Sequence, residues 1–123
     1  MFSIFVDDYD FALRYFVDVL EFSIVEDTQL TDTRRWVVIT SSHGLKILLV
    51  EPKNERERSG IGQQFFGRVG VFLYVDEFDR IYTKMKNASV EFLEEPRSET
   101  YGKVVQFKDY LGNKWDLIES SGS

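Results

Sequence analysis

The chain of 123 residues contains no cysteine. Disulfides, thiolate metal sites and cysteine nucleophiles are therefore excluded. It has a single histidine, His43, which falls in a predicted hairpin turn, so a Ser-His-Asp triad has no members. Cations are few and scattered, and the formal charge is −6. Displacing counterions from a duplex needs clustered Lys and Arg, so nucleic acid is not an expected partner. No apolar run reaches about 18 residues and no signal-peptide pattern is present, which predicts no membrane partner and cytoplasmic residence. Gly60, Ile61 and Gly62 lack the following Lys-Ser/Thr of a phosphate loop. Glu94 and Glu95 precede Pro96 and read as a solvated loop, not a glycosidase pair.

Aromatic and apolar residues are plentiful, at 15% and 43% of the chain. These suffice for a packed core or an aromatic-lined pocket in a single domain. The tail Ser120–Ser123 reads as frayed. The alternating charges of Lys53–Arg58 read as a solvated linker.

An internal repeat organises the rest. Val6, Asp7, Asp8, Tyr9, Asp10 recurs as Val75, Asp76, Glu77, Phe78, Asp79, an offset of 69. Gly44 to Glu51 recurs as Gly112 to Glu119, an offset of 68. The first half predicts a strand over Met1–Val6 and an N-cap at Asp7 or Asp8. A helix then buries Phe11, Ala12, Tyr15, Phe16, Val19 and Leu20. Strands follow near Ser23–Thr28, Arg34–Ser41 and Leu45–Glu51, with Ser42, His43 and Gly44 in the last turn. The second half predicts a strand at Val69–Val75 and a helix at Glu77–Asn87 that buries Phe78, Ile81, Tyr82 and Met85. Strands at Val90–Leu93, Tyr101–Lys108 and Lys114–Glu119 complete it. This gives unit one over 1–52, a linker over 53–68 and unit two over 69–119, all in one domain. The linker is long for a structureless connection, so Ile61–Phe66 is expected to form a helical turn, the alternative being a mobile lid.

The order βαβββ–βαβββ, with each helix opened by the repeated Val-Asp-acid-aromatic-Asp, resembles the vicinal oxygen chelate superfamily of glyoxalases, bleomycin-resistance proteins and extradiol dioxygenases. The ending Phe107, Lys108, Asp109, Tyr110, Leu111, Gly112, Asn113, Lys114, Trp115, Asp116, Leu117 is similar to how these domains end. The resemblance implies an α+β fold of tandem units, whose curved mixed sheet surrounds a concave pocket with helices outside. It also implies homodimers. Catalysis in that family, where known, rests on a divalent metal with one ligand from the first and one from the last strand of each unit. On this sequence those positions are Met1, Leu48, Gly70 and Asp116. Only Asp116 is a donor for a hard or borderline cation, so no metal and no other cofactor is expected.

Side chains alternate along strands. Met1, Ser3, Phe5, Leu48, Val50, Gly70, Phe72, Tyr74, Asp116 and Ile118 share the pocket-facing parity. Phe2, Ile4, Leu49, Val71, Leu73, Trp115 and Leu117 are expected beneath the helices. The predicted ligand pocket comprises Phe5, Trp36, Leu48, Phe72, Tyr74, Tyr101 and Asp116. Asp116 is the candidate catalytic group, a base or acceptor among apolar neighbours; the competing reading pairs it with an arginine such as Arg35 and gives it no chemistry. Trp36 offers a stacking face or is core. Tyr74 and Tyr101 offer phenolic donors, and Gln106 counts only if it points inward.

These features predict a metal-independent protein that holds a small, partly aromatic molecule. The alternative is a divalent-metal-dependent lyase, isomerase or dioxygenase with off-pattern ligands. A third reading is an interaction module whose pocket is collapsed by Phe5, Phe72 and Trp36.

Overall fold

The computed structural model describes residues 1–120. Two compact units divide the chain, one over Met1–Ile61 and one from Gly62 onwards. The fold is α+β, as expected.

The first unit holds β1 (Phe2–Phe5), α1 (Tyr9–Arg14), β2 (Ser23–Gln29), β3 (Arg35–Thr40), β4 (Lys46–Val50) and the short α2 (Glu55–Arg58). Its four-stranded sheet has the order β1-β4-β3-β2. β1 and β4 are parallel and the other neighbours antiparallel. The second unit holds β5 (Val69–Val75), α3 (Phe78–Asn87), β6 (Glu91–Phe92), β7 (Arg97–Glu99), β8 (Gly102–Lys108) and β9 (Lys114–Glu119). Its sheet runs β5-β9-β8-β6, with β7 also paired to β8. Here β5 and β9 are the parallel pair, which matches β1 and β4 through the repeat.

The duplication extends to individual hydrogen bonds. In the β3–β4 turn the Ser41 Oγ accepts from Leu45 N at 3.0 Å, and Gly44 N donates to Ser41 O at 3.0 Å. In the β8–β9 turn Asp109 takes the place of Ser41. Its Oδ1 accepts from the backbone N–H of Leu111, Gly112 and Asn113, each at 2.9 Å. Gly112 N donates to Asp109 O at 3.0 Å. The Trp115 indole donates to Asp109 Oδ2 at 2.8 Å, so a buried carboxylate fixes both the turn and the largest core side chain. Burial pushes the Asp109 carboxyl above its ordinary value, and the Trp115 and Asn113 donors oppose that rise.

The shift of offset from 69 to 68 has a structural cause. Asp8 caps α1 by accepting from Phe11 N at 2.9 Å, and Glu77 occupies the matching position before α3. Both helices end on a residue of positive φ, Glu21 at 61° and Ser89 at 63°. The first helical segment is thus one residue longer between equivalent ends. That residue is absorbed by a π-helical turn over Tyr15–Val19, where Leu20 N reaches back to Tyr15 O at 3.3 Å. Phe11, expected inside, is 47% exposed, while Leu13 is buried.

Parity sorts the sheet cores as expected except at Phe2, which is only half-buried. Ile4, Leu49, Val71, Leu73, Trp115 and Leu117 are buried to 2% or less exposure. Each such side chain contributes about 1.5–3 kcal/mol when fully buried. In the second unit Phe107 stacks on Trp115 at 5.6 Å and Tyr82 packs edge-on to Phe92 at 4.7 Å. Ile118 departs from the expected open position and is 6% exposed, beside its fully buried cross-strand partner Val104.

Four elements differ from expectation. Lys53–Arg58 is not all linker, because Asn54 Oδ1 accepts from Glu57 N at 2.8 Å and caps α2. Ile61–Phe66, expected as a helical turn, forms a run of hydrogen-bonded turns that is not helical, with positive φ at Gly62 (72°) and Phe66 (55°). β7 was not foreseen; it and β6 share one edge of β8 across a break at Pro96. The Glu94 carboxylate fills that break, accepting from Gln106 N at 2.9 Å where a ladder carbonyl is missing. Ser120 is tied by its N–H to Val75 O at 2.8 Å; the rest of the expected frayed tail lies outside the described residues.

Candidate functional site

The first unit contains a cleft of about 850 Å³ on the sheet face opposite its core. Its floor follows from register. Ser3 pairs with Leu48, Phe5 with Val50 and Val38 with Leu48, so alternation brings Ser3, Phe5, Leu48, Val50 and Trp36 to one side. Phe5 and Leu48 are half-buried, and Trp36 keeps 36% of its surface exposed.

Salt bridges and ring contacts set the walls. Arg35 grips Asp27 with two bonds of 2.8 Å and reaches Asp10 at 2.9 Å. This raises the Arg35 pKa and holds the Asp27 carboxyl below its ordinary value. The same guanidinium lies over the Tyr9 ring, 5.4 Å from its centroid. Tyr9 in turn receives the Glu51 N–H on its hydroxyl at 3.3 Å and donates its own N–H to Glu51 at 3.1 Å. The start of α1 is thereby bound to β3 and to the end of β4. Leu30, Thr33, Arg34 and, from the segment leading into α2, Pro52, Lys53 and Glu57 complete the lining. Sequence reasoning missed these residues, which come from loops and a capped turn with no apolar period.

The second unit has its own open face. Phe72 is in register with Asp116, Asp116 with Gln106, and Tyr74 with Ile118. Phe72 and Tyr74 are 51% and 48% exposed. Asp116 Oδ1 is enclosed and accepts no hydrogen bond among the described residues. Burial raises the Asp116 pKa, the Arg97 charge lowers it and Glu94 raises it. Arg35, the arginine named as an example from the sequence, is paired with Asp10 and Asp27 within the first unit. Arg97 is held by Glu94 at 3.2 Å and by Glu99 at 2.8 Å.

Of the predicted pocket residues, Phe5, Trp36 and Leu48 meet in the first unit's cleft, and Phe72, Tyr74 and Asp116 share the second unit's face. Tyr101 is 51% exposed in the turn joining β7 to β8. His43 is exposed in the β3–β4 turn.

The metal positions do not fit a metal. Met1 is 70% exposed and lies outside β1. Leu48 is a hydrocarbon in the cleft floor. At Gly70 any side chain must displace the Phe65 ring, because a β-carbon there would lie 2.0 Å from Phe65 Cγ. The Phe65 ring occupies that place, a feature the sequence signalled only as a glycine inside a strand. Among the described residues no group of three His, Cys, Asp or Glu side chains is arranged to hold an ion.

Comparison with known proteins agrees with this architecture. A protein of Shewanella frigidimarina (strain NCIMB 400) is 38% identical over 120 residues, covering 95% of this chain and 89% of its own. A superfamily member from Sphaerobacter thermophilus superposes with a TM-score of 0.70 at 25% identity, covering 96% of this chain and 93% of its own. TnmS3, an antibiotic binding protein from Streptomyces sp. CB03234, superposes with a TM-score of 0.72 at 21% identity, covering 97% and 92%. The family profile described as Glyoxalase/Bleomycin resistance protein/Dioxygenase superfamily matches residues 1–117, and the chain belongs to that superfamily.

Proposed function

We propose that this protein binds a small, partly aromatic molecule without using a metal. The observation that carries the reading is the cleft of about 850 Å³ in the first unit, floored by Phe5, Leu48 and Val50 and presenting the Trp36 ring. Its size lies within the range of about 300–1,000 Å³ common for small-molecule sites, with an apolar floor and a few polar groups to orient a ligand. Such a cleft argues against an interaction module with a collapsed pocket. The superfamily's antibiotic-binding member TnmS3 supports the ligand class. The metal-dependent lyase, isomerase or dioxygenase reading has no comparable support, because the donor set does not fit. Elemental analysis with a nickel, zinc, manganese and ferrous iron titration addresses it, and a stoichiometric metal would revive it. We further read the protein as a cytoplasmic homodimer with no nucleic-acid partner.

Trp36 and Trp115 are the two tryptophans, and Trp115 is fully buried. Fluorescence titration with flat aromatic and drug-like compounds therefore reports on the cleft. A binder is expected to quench Trp36 and raise Tm. Trp36→Leu should weaken it by about 2–10-fold, the scale of one lost ring contact. A broad screen with neither quenching nor thermal shift would sink the proposal.

A further inference from the structure

The rim of the first unit's cleft carries positive charge that the chain does not neutralise. The β2–β3 ladder runs one position past its last register pair, because Leu30 N donates to Arg34 O at 2.9 Å beyond Gln29 and Arg35. Alternation then sets Arg34 on the same face as Trp36, with Thr28 across from Trp36 and Leu30 across from Arg34. Leu30, Thr33, Arg34 and Trp36 all line the cleft. The stem of Arg34 is fixed at its backbone. Its carbonyl also accepts from Thr31 N at 3.1 Å and from the Gln29 side-chain amide at 3.2 Å, and its N–H donates to Thr31 Oγ1 at 3.0 Å.

The acids and the other arginine of the lining are engaged inside the unit. Arg35 is held by Asp10 and Asp27. Glu51 accepts from Tyr9 N at 3.1 Å. Glu57 accepts from Lys53 N at 3.3 Å, and its second oxygen lies 3.9 Å from the Lys53 ammonium. That last contact is long and the Lys53 side chain is 79% exposed, so its ammonium keeps donors to spare. Glu26, on the face of β2 that carries Thr28, accepts from the Thr28 hydroxyl at 3.2 Å and does not line the cleft. Arg34 makes no ion pair among the described residues. A solvated arginine is ordinary on a surface. What sets Arg34 apart is a fixed stem beside the partly exposed Trp36 ring, in a chain whose formal charge is −6.

A planar fork of donors and an ammonium, set on the rim of an aromatic and apolar cleft, are matched by an anion joined to a flat ring. A guanidinium takes a carboxylate through two parallel charge-assisted hydrogen bonds. The ring of the same molecule gains contact with Trp36 and buries apolar surface of Leu30 and Leu48. We propose that the first unit's cleft selects aromatic carboxylates, with Arg34 holding the carboxylate, Lys53 adding charge and Trp36 meeting the ring. Both cations belong to the rim, one on the β2–β3 turn and one on the segment before α2, and neither is part of the apolar floor. This preference rests on the cleft being a ligand site and adds the charge of the ligand to that reading.

Naphthoate, naphthamide and naphthamidinium have nearly one shape and are negative, neutral and positive, which makes them the probes. Each is titrated into the full chain by calorimetry, with backbone amide NMR to locate it. The expected result is naphthoate about 3–10-fold tighter than naphthamide, naphthamidinium weakest, and shifts on residues 30–36 and 48–53. Added salt should weaken naphthoate and leave naphthamide unchanged. Arg34→Gln is expected to bring naphthoate down to naphthamide. Arg34→Lys should keep part of the preference, because the charge stays and the fork is lost. Arg56→Gln removes the same charge from exposed α2, outside the lining, and should leave the preference intact. Equal binding of naphthoate and naphthamide in the cleft would overturn the anion site and leave the cleft as a ligand site. Tightest binding of naphthamidinium, a preference that survives in Arg34→Gln, or one lost equally in Arg56→Gln would overturn it as well. Absence of saturable naphthoate binding, or shifts confined to the second unit, overturns it too, and the Trp36 quenching screen then decides the cleft by itself.

Discussion

At the scale of single residues, two positions carry most of the chemical information. Asp116 is held in a setting that favours its neutral form, with burial the leading cause. A carboxyl whose pKa is raised in the folded state destabilises that state when ionised. The loss begins as pH rises through the unfolded value near 3.8 and is complete above the folded value. Asp116→Asn is therefore expected to raise Tm at neutral pH, with the gain shrinking to nothing as pH falls below the unfolded value. Thermal melts of both proteins across that range test the sign; a variant that is less stable at neutral pH would show that Asp116 is paired. Gly70 is the second position. Its Cα faces the Phe65 ring so closely that any side chain must displace it. Gly70→Val is expected to cost about 1–3 kcal/mol, the usual price of overpacking, measured by urea unfolding. A neutral outcome would mean that the Phe65 ring leaves that position readily.

Secondary elements show where a linear pattern is legible and where it is not. Strand alternation named most of the core, because period two survives whatever a strand pairs with. The helix face was misread at Phe11, which lies in the first turn of α1 one place off the buried stripe of Ala12, Phe16 and Leu20. Cleft residues such as Tyr9 and Arg34 were invisible because hydrogen bonds and turns place them, with no apolar period to mark them. β7 was missed because Pro96 interrupts the edge and a side chain, Glu94, substitutes for the backbone. The helix ends yield a prediction. Ser89 holds φ at 63° after α3, and Val90 N returns to Met85 O at 3.0 Å, the geometry that favours glycine. Ser89→Gly is expected to stabilise by about 0.5–1 kcal/mol, read as a higher urea midpoint with an unchanged slope. Its repeat equivalent Glu21→Gly should behave alike, and opposite signs at the two sites would break the structural equivalence of the units.

At the scale of the whole molecule, apolar exposure and net charge act in opposite directions. Ile24, Val25, Leu30 and Trp36 in the first unit, and Phe72 and Tyr74 in the second, each expose 36% or more of their surface. Scattered singly such residues are ordinary, but groups of them on open sheet faces mark surfaces that meet something. The charge of −6 makes two copies repel one another at low ionic strength. If association is driven by the apolar faces, added salt screens the repulsion, with a Debye length of about 10 Å at 0.1 M, and leaves the attraction intact. The expected outcome of sedimentation is a dimer whose population grows with concentration and with salt. Dissociation on adding salt would point instead to ion pairs across the interface. A monomer at every concentration and ionic strength would remove the dimer and leave these side chains to ligands alone.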